Sequence, residues 1–207
     1  MKKLSICTVF AFGLSLPMGL ATAASDSTKL DKNSPHSVGV QLSAGGADYK
    51  NKGDADDNVI GGAYIYYNYQ FADNYSVELG FSGLTDVDNW KCDRNSDDEW
   101  VCTKKNDKIL NIEADKLDYS AFVIAAKGNI ALSKRNSLYG KLGANFYNYE
   151  LTLQKTKVAD DDGVGLFLEA GWEYRWDNGI GMNAGIQYQD AGDLEISTSN
   201  IGISYRF

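Results

Sequence analysis

Proline and long hydrophobic runs are scarce in this 207-residue chain. Its two prolines, Pro17 and Pro35, both precede the first patterned segment. From residue 36 to residue 207 no proline removes a backbone hydrogen-bond donor, so this stretch can form unbroken β-ladders. Its longest apolar run, 121–126, is far shorter than the roughly 20 residues of a membrane-spanning helix. The sequence therefore excludes a multi-helix membrane protein.

Basic residues are outnumbered, with 20 Lys and Arg against 28 Asp and Glu, and the formal charge is −8. Such a chain lacks the basic surface that phosphate backbones require, so we expect no nucleic-acid partner. Histidine is nearly absent. The single histidine, His36, lies before the first predicted strand, where it is a poor base for a serine nucleophile. We therefore expect a protein without enzymatic activity.

The first 23 residues have the layout of a signal peptide: a cationic start at Lys2 and Lys3, an apolar run over 4–16, and small residues before Ala23. The alternative is a single membrane anchor, but Gly13, Ser15 and Pro17 shorten the apolar run. Cleavage after Ala23 removes two bases and no acid, which takes the charge to −10. Residues 24–36 are polar and without period, which predicts a flexible segment before a domain over 37–207.

Cleavage would also leave only Cys92 and Cys102, which in an exported chain predicts a disulfide. One histidine and two cysteines are too few for zinc. Calcium ligation is conceivable in two acidic segments, but both lack the glycine and distal glutamate of an EF-hand. We therefore favour solvated loops, with no metal and no cofactor. The acidic residues concerned are Asp54, Asp56, Asp57 and Asn58, and Asp160, Asp161 and Asp162.

Period-two alternation organises the rest of the chain into about eight strands. It is clearest over 164–176, where apolar and polar or glycine residues alternate without a break. Around Phe122 we choose the register that turns Lys127 to the polar face. Connections are short at 72–74, 133–136 and 177–179, and longer at 50–58, 85–116, 150–163 and 190–195. This pattern predicts an all-β, eight-stranded antiparallel up-and-down transmembrane β-barrel, with short periplasmic turns and longer extracellular loops.

The polar face carries three acids and four bases, and this near balance predicts a paired charge network inside the lumen. The residues are Glu78, Lys127, Lys141, Glu169, Glu173, Arg175 and Arg206. Aromatic residues of the apolar face gather beside the short turns, as at a bilayer interface. A soluble lipocalin-like binder would have the same strands with the faces reversed.

The last segment ends in a polar residue, a glycine two positions on, and an aromatic-x-aromatic pair: Asn200, Gly202, Tyr205 and Phe207. It resembles the C-terminal signal by which outer-membrane barrels are recognised by their assembly machinery. Residues 37–207, including Ser137-Leu138-Tyr139-Gly140, are similar to the small OmpA/OmpX-like outer-membrane barrel family. The resemblance implies a location in the outer membrane of a Gram-negative bacterium, with membrane lipid, lipopolysaccharide and the barrel assembly machinery as partners.

The segment 85–116 carries both mature cysteines, each preceded at two positions by a tryptophan. It predicts a stapled hairpin, and it could also form a rigid contact surface for a host or phage ligand. The expected function is to anchor acidic, disulfide-stapled surface loops for adhesion, host interaction or envelope integrity. The alternative is a small ion-conducting pore.

Overall fold

A computed structural model describes residues 34–50, 59–86, 116–153 and 156–207, together with the backbone of 90–94 and 100–104. Within these ranges no helix has the length and apolar character needed to cross a membrane. The strands are β1 His36–Tyr49, β2 Val59–Ala72, β3 Tyr75–Asp86, β4 Trp90–Arg94, β5 Trp100–Lys104, β6 Lys116–Ala131, β7 Asn136–Leu153, β8 Thr156–Arg175, β9 Ile180–Ala191 and β10 Leu194–Arg206.

Eight of these strands close into one antiparallel barrel in the order β1-β10-β9-β8-β7-β6-β3-β2. Closure is made by β1 and β10, which pair from Ser37↔Arg206 to Tyr49↔Leu194. A closed barrel leaves no edge strand at this seam. The predicted all-β, eight-stranded up-and-down barrel is confirmed.

Alternate residues point into and out of the barrel, as the period-two pattern predicts. On β3, Ser76, Glu78 and Ser82 are buried inside, whereas Val77 and Phe81 are exposed outside. Strand β6 has the predicted register, because Lys127 is buried and Phe122 is exposed. The apolar outer face is the one that a lipid bilayer would cover.

Two of the four predicted longer loops are wrong. Residues 150–153 and 156–163 are strand, because β7 runs to Leu153 and β8 begins at Thr156. Acidic residues are depleted in β-strands, but here the ladder continues through Glu150↔Asp160, and Lys157 forms ion pairs with both side chains. Residues 190–191 and 194–195 are also strand, so a turn of only two residues, 192–193, joins β9 and β10. Gly192 adopts a positive φ of 65°, which a tight turn requires and glycine tolerates.

Of the other two predicted long connections, 50–58 lies almost wholly outside the described residues, and 85–116 contains a separate hairpin of β4 and β5. In its register Cys92 lies directly opposite Cys102. We call the end of the barrel with this hairpin the loop end. The other end, with the connections 73–74, 132–135 and 176–179, is the turn end.

The barrel is taller than a bilayer on one side. β8 pairs with β9 only from Phe167↔Gln189 to Arg175↔Gly181, and its first eleven residues continue past that pairing alongside β7. At about 3.3 Å per residue and a tilt of about 45°, the 20 residues of β8 rise about 45 Å. The apolar band of such barrels is about 25 Å tall, so the β7–β8 hairpin stands well clear of it.

Glycine Gly80 makes room inside the barrel for a tyrosine ring. A Cβ added at Gly80 would overlap the phenol of Tyr64, which is held by a hydrogen bond from its hydroxyl to Glu78. At Gly83, on the same strand, an added Cβ meets nothing within 4 Å. We expect Gly80→Ala to lower the free energy of unfolding by about 1–3 kcal/mol, and Gly83→Ala to leave it nearly unchanged. Urea unfolding of the refolded barrel compares them, and equal shifts would contradict the packing.

Candidate functional site

The centre of the lumen holds Lys141 between two carboxylates. Its Nζ lies 2.8 Å from Oε1 of Glu78 on β3 and 3.0 Å from Oε2 of Glu169 on β8. Lys141 and Glu169 are register partners on adjacent strands, whereas Glu78 reaches Lys141 across the lumen from a strand that does not adjoin β7. The side chains of all three are almost fully buried, with 1% exposure or less.

Neutral side chains donate further hydrogen bonds to these buried carboxylates. Tyr64 and Asn68 donate hydrogen bonds of 2.7 and 2.9 Å to Glu78. Glu169 accepts hydrogen bonds of 2.7 Å from Tyr139 and 2.9 Å from Gln41. The ammonium of Lys141 also lies 4.7 to 5.5 Å from the ring centres of three tyrosines, Tyr66, Tyr64 and Tyr139. Full pairing of this kind is what makes buried charge tolerable.

A second charged cluster lies nearer the turn end. Glu173 accepts hydrogen bonds of 2.7 Å from Lys127 and of 2.7 and 3.2 Å from the guanidinium of Arg175. Arg206 shares this region, but no carboxylate of the described residues lies within 4 Å of it. The cluster borders a polar cavity of about 300 Å³ that opens at the turn end.

At the loop end the lumen is apolar, which corrects the expectation that the polar face fills it throughout. Leu117, Leu151, Leu194 and Ile196 are fully buried there. With neighbours they form one apolar cluster, the apolar plug: Ala47, Ile60, Leu84, Leu117, Tyr119, Ala121, Tyr147, Tyr149, Leu151, Ala191, Leu194 and Ile196. Most outward positions at this level are polar, among them Lys116, Asp118, Asn148 and Glu150, so the alternation inverts there, as in a soluble barrel.

A few polar atoms inside the barrel have no protein partner. They include the side-chain oxygens of Gln187 and Thr198 and both polar atoms of the Asn200 amide, all on β9 and β10. Buried polar groups normally bind internal water when the protein supplies no partner. These polar atoms are therefore candidate sites for bound water inside the lumen.

The outer face at the turn end is rich in exposed aromatic residues: Phe71, Tyr75, Trp176, Tyr205 and Phe207. Of the C-terminal motif, Asn200 and Gly202 point inward, whereas Tyr205 and Phe207 point outward and stack with ring centres 6.5 Å apart. The backbone N–H of Phe207 donates to the carbonyl of His36, which ties the last residue to the start of β1.

The ring of His36 belongs to this aromatic group. Its Nδ1 shares a hydrogen bond of 2.6 Å with the Tyr67 hydroxyl, and it stacks on Phe207. Among the described residues its ring makes no hydrogen bond to a serine hydroxyl. The contacts of His36 within the described residues are therefore those of a packed aromatic group.

The acidic residues of β8 do not converge on a point. Asp161 shares the inner face with Gly163 and accepts a hydrogen bond from Tyr147, so its neighbours Asp160 and Asp162 point to the opposite face. No group of three or more metal-ligating side chains occurs in the described part of the chain. The first acidic segment, with Asp54, Asp56, Asp57 and Asn58, lies outside the described residues.

Negative charge is concentrated at the loop end. The segments 46–62, 84–119, 148–166 and 189–196 hold 21 acids and 10 bases, a net charge of −11 that exceeds the −8 of the whole chain. Among the described acids of these segments, Asp118, Glu150, Asp160 and Asp190 form ion pairs. Asp190 binds Lys50 at 2.9 Å, and this hydrogen bond raises the pKa of Lys50.

Sequence reasoning placed the seven charged residues of the predicted network on one face, and the structure brings six of them into ion pairs. The period-two pattern also places Tyr64, Tyr66 and Tyr139 inside the lumen, but it does not predict their contacts with Lys141, and it missed the apolar plug. The sequence does contain a sign of the plug. Leu117, Leu151 and Ile196 continue the period-two series of inward-facing positions on their strands toward the loop end.

Bromine-labelled lipid can test the outward direction of Trp172. Its indole N–H donates a hydrogen bond of 3.2 Å to Asn136 near the turn end, and the ring faces outward beside Tyr174. In a chain retaining only Trp172, we expect strong fluorescence quenching by brominated phospholipid. A chain retaining only Trp90 should be quenched little. Shielding of Trp172 would instead support the lipocalin-like alternative with reversed faces.

The chain matches one protein family model and several solved structures. The family model of the outer membrane protein beta-barrel domain matches residues 12–207. A comparison with curated proteins finds no match. Ail, the attachment invasion locus protein of Yersinia pestis, is 18% identical with a TM-score of 0.51, over 84% of this chain and 97% of that one.

Two further solved structures are similar. Neisserial surface protein A is 12% identical with a TM-score of 0.62, over 84% of this chain and 98% of that one. OprG from Pseudomonas aeruginosa is 13% identical with a TM-score of 0.51, over 84% and 96%. At these identities the likeness concerns the fold.

Proposed function

The chain belongs to the outer membrane protein beta-barrel domain family, and we propose that it is a non-enzymatic platform that holds an acidic surface outside the cell for adhesion, host interaction or envelope integrity. Family membership places it in the outer membrane of a Gram-negative bacterium. The proposal includes export by a signal peptide, with cleavage after Ala23. Lipid contacts the apolar outer face, and divalent ions on lipopolysaccharide bridge to the acidic loop end.

The observation that carries the proposal is the filled interior. Eight strands enclose a lumen just wide enough for side chains to fill it. Here Tyr64, Phe167, Leu117 and Leu151 are buried with no exposed surface, at levels from the centre to the loop end. A barrel filled in this way serves as a rigid anchor, because its wall and its interior support one another.

The height and charge of the loop end support an outward-facing role. The β7–β8 hairpin rises above the level at which β9 ends, and the surrounding connections carry the excess acid. Ordered strands lose little conformational entropy when they bind a partner, which favours recognition. The same acids discourage other chains from pairing with the unpaired edge of β8.

The proposed disulfide between Cys92 and Cys102 draws support from the β4–β5 register. Residues directly opposite in an antiparallel pair have Cα atoms about 4.5–5.5 Å apart, within the range that a disulfide spans. The bridge would pin the hairpin that carries Trp90 and Trp100 as a contact surface for a host or phage ligand. Mass spectrometry of the exported protein, with and without reductant, tests it: a free thiol at either cysteine would contradict the bridge.

A second candidate function, a small ion-conducting pore, is favoured by the unpartnered polar atoms of Gln187, Thr198 and Asn200. Water at these groups would begin a path, but the apolar plug closes the loop end above them. We expect planar-bilayer recordings of the purified barrel to show no reproducible steps. Stable single-channel steps of constant size would support the pore and contradict the platform.

The cellular test separates the loop end from the barrel. A deletion strain is complemented with the wild-type gene, or with a gene in which residues 87–115 are replaced by a short turn. Adhesion and serum survival should fall to the deletion level with the shortened chain, while its amount in the outer membrane stays unchanged. Full adhesion and serum survival with the shortened chain would exclude the hairpin as the contact surface.

A further inference from the structure

The turn end of this acidic protein is basic. Its cavity of about 300 Å³ is lined by five basic and two acidic residues: Lys127, Lys134, Arg135, Arg175, Arg206, Asp73 and Glu173. This balance is the reverse of that at the loop end. It concerns a different region from the proposed adhesive surface, and it stands independently of that function.

Three cations, Lys127, Arg175 and Arg206, line the inner part of the cavity beside a single carboxylate, that of Glu173. Glu173 is already bonded by Lys127 and Arg175, with N···O distances of 2.7 Å for each. The guanidinium of Arg206 is partly buried and has neither an ion-pair nor a hydrogen-bond partner among the described residues, and Arg175 is close enough to repel it. The inner set therefore has an excess of two positive charges facing a cavity.

An uncompensated pair of charges of like sign in a partly buried cavity is costly, and an anion relieves that cost. The guanidinium of Arg206 provides a planar donor pair that suits a tetrahedral oxyanion, whereas Arg175, whose guanidinium already donates to Glu173 and to the carbonyl of Gly179, contributes mainly positive charge. Neutral hydroxyl and amide groups of Ser37, Ser76 and Asn129 line the same space and could donate to further oxygens. The excess of two charges matches a phosphate monoester, which carries about −1.5 to −2 at pH 7.

We propose that the turn-end cavity is a binding site for a phosphate monoester, held by Arg206, Arg175 and Lys127. In outer-membrane barrels the short turns face the periplasm, so the ligand arrives from that side. Its phosphate is carried either by a small soluble molecule or by a lipid headgroup at the rim.

The test uses the full barrel refolded in zwitterionic bicelles, which avoids any demand on cellular assembly. Titration calorimetry and the unfolding midpoint are measured with glycerol phosphate, with phosphatidic acid in the bicelle, and with acetate at equal ionic strength. Saturable binding of glycerol phosphate identifies a soluble ligand, and an effect of phosphatidic acid alone identifies a lipid one. No binding of either, or equal binding of acetate, overturns the site.

Variants separate binding from folding. Arg206→Gln should weaken phosphate binding about tenfold or more, because it removes a charge-assisted donor pair. Without phosphate, the same change should leave the unfolding midpoint unchanged or raise it, since repulsion by Arg175 is removed. A merely structural Arg206 would show the opposite: a lower midpoint and unchanged binding.

Two further variants complete the design. Lys134→Gln changes an exposed residue of the turn 132–135, where folding is not at risk, and should weaken binding two- to fivefold by reducing the local positive potential. Lys157→Gln, at the loop end, is the matched control and should leave phosphate binding unchanged. Equal effects of the two changes would show that only overall charge matters, and would contradict a localised site.

Discussion

Replacing Lys141 with methionine is expected to lower the free energy of unfolding by about 3–5 kcal/mol. The change leaves Glu78 and Glu169 buried without the cation that lies within 3.0 Å of both. Methionine fills a similar volume, so the loss reports on charge and not on a cavity. Urea unfolding of the refolded barrel, followed by the migration of unheated samples on gels, measures the shift.

The matched control is Lys157→Met at the loop end. Lys157 also contacts two carboxylates, those of Glu150 and Asp160, but all three side chains are about half exposed. Exposed ion pairs are screened by water and contribute little to stability, so this shift should be small, and Asp161→Asn should behave alike. The double change Lys141→Met with Glu169→Gln should recover part of the loss. Equal shifts for Lys141→Met and Lys157→Met would argue against interior pairing.

The sequence predicts the face of each charged residue, because period two assigns Lys141 and Glu169 to the same side of the sheet. It cannot predict that Glu78 meets Lys141. That contact crosses the lumen from β3 to β7, and it depends on barrel closure and on strand register, which no local pattern encodes. The tyrosines around Lys141 follow from the same three-dimensional arrangement.

The two wrong loop predictions and the missed apolar plug have one physical cause. The period-two pattern is expected to keep one face of each strand apolar and the other polar along its whole length. On β7, Leu142 and Phe146 face outward, and Tyr149 and Leu151 face inward, with Glu150 outward between them. The inversion marks where lipid ends and water begins outside the barrel. The polar outward residues are therefore predicted as loop, which makes the predicted β7 and β8 too short. The ladder itself continues past the bilayer.

Removal of Phe207 is expected to reduce the amount of barrel in the outer membrane at least about tenfold, while changing the stability of the refolded protein little. The terminal ring is 53% exposed, directly follows β10, and among the described residues stacks on Tyr205 and His36. Partial burial of such a ring contributes less than the roughly 1.5–3 kcal/mol of full burial. A large cellular effect would therefore report on recognition by the assembly machinery, which the resemblance of the C-terminal motif implies.

The control for position is Phe71→Ala. Phe71 is an aromatic of the same end with 59% exposure, but it lies outside the C-terminal motif. If the interface ring as a whole governs insertion, the two changes should lower the outer-membrane level equally. If the terminal motif is what is recognised, Phe71→Ala should insert nearly normally, and both proteins should refold equally well in bicelles. Normal insertion without Phe207 would show that the C-terminal motif is not needed for assembly and that the alternating strands are sufficient.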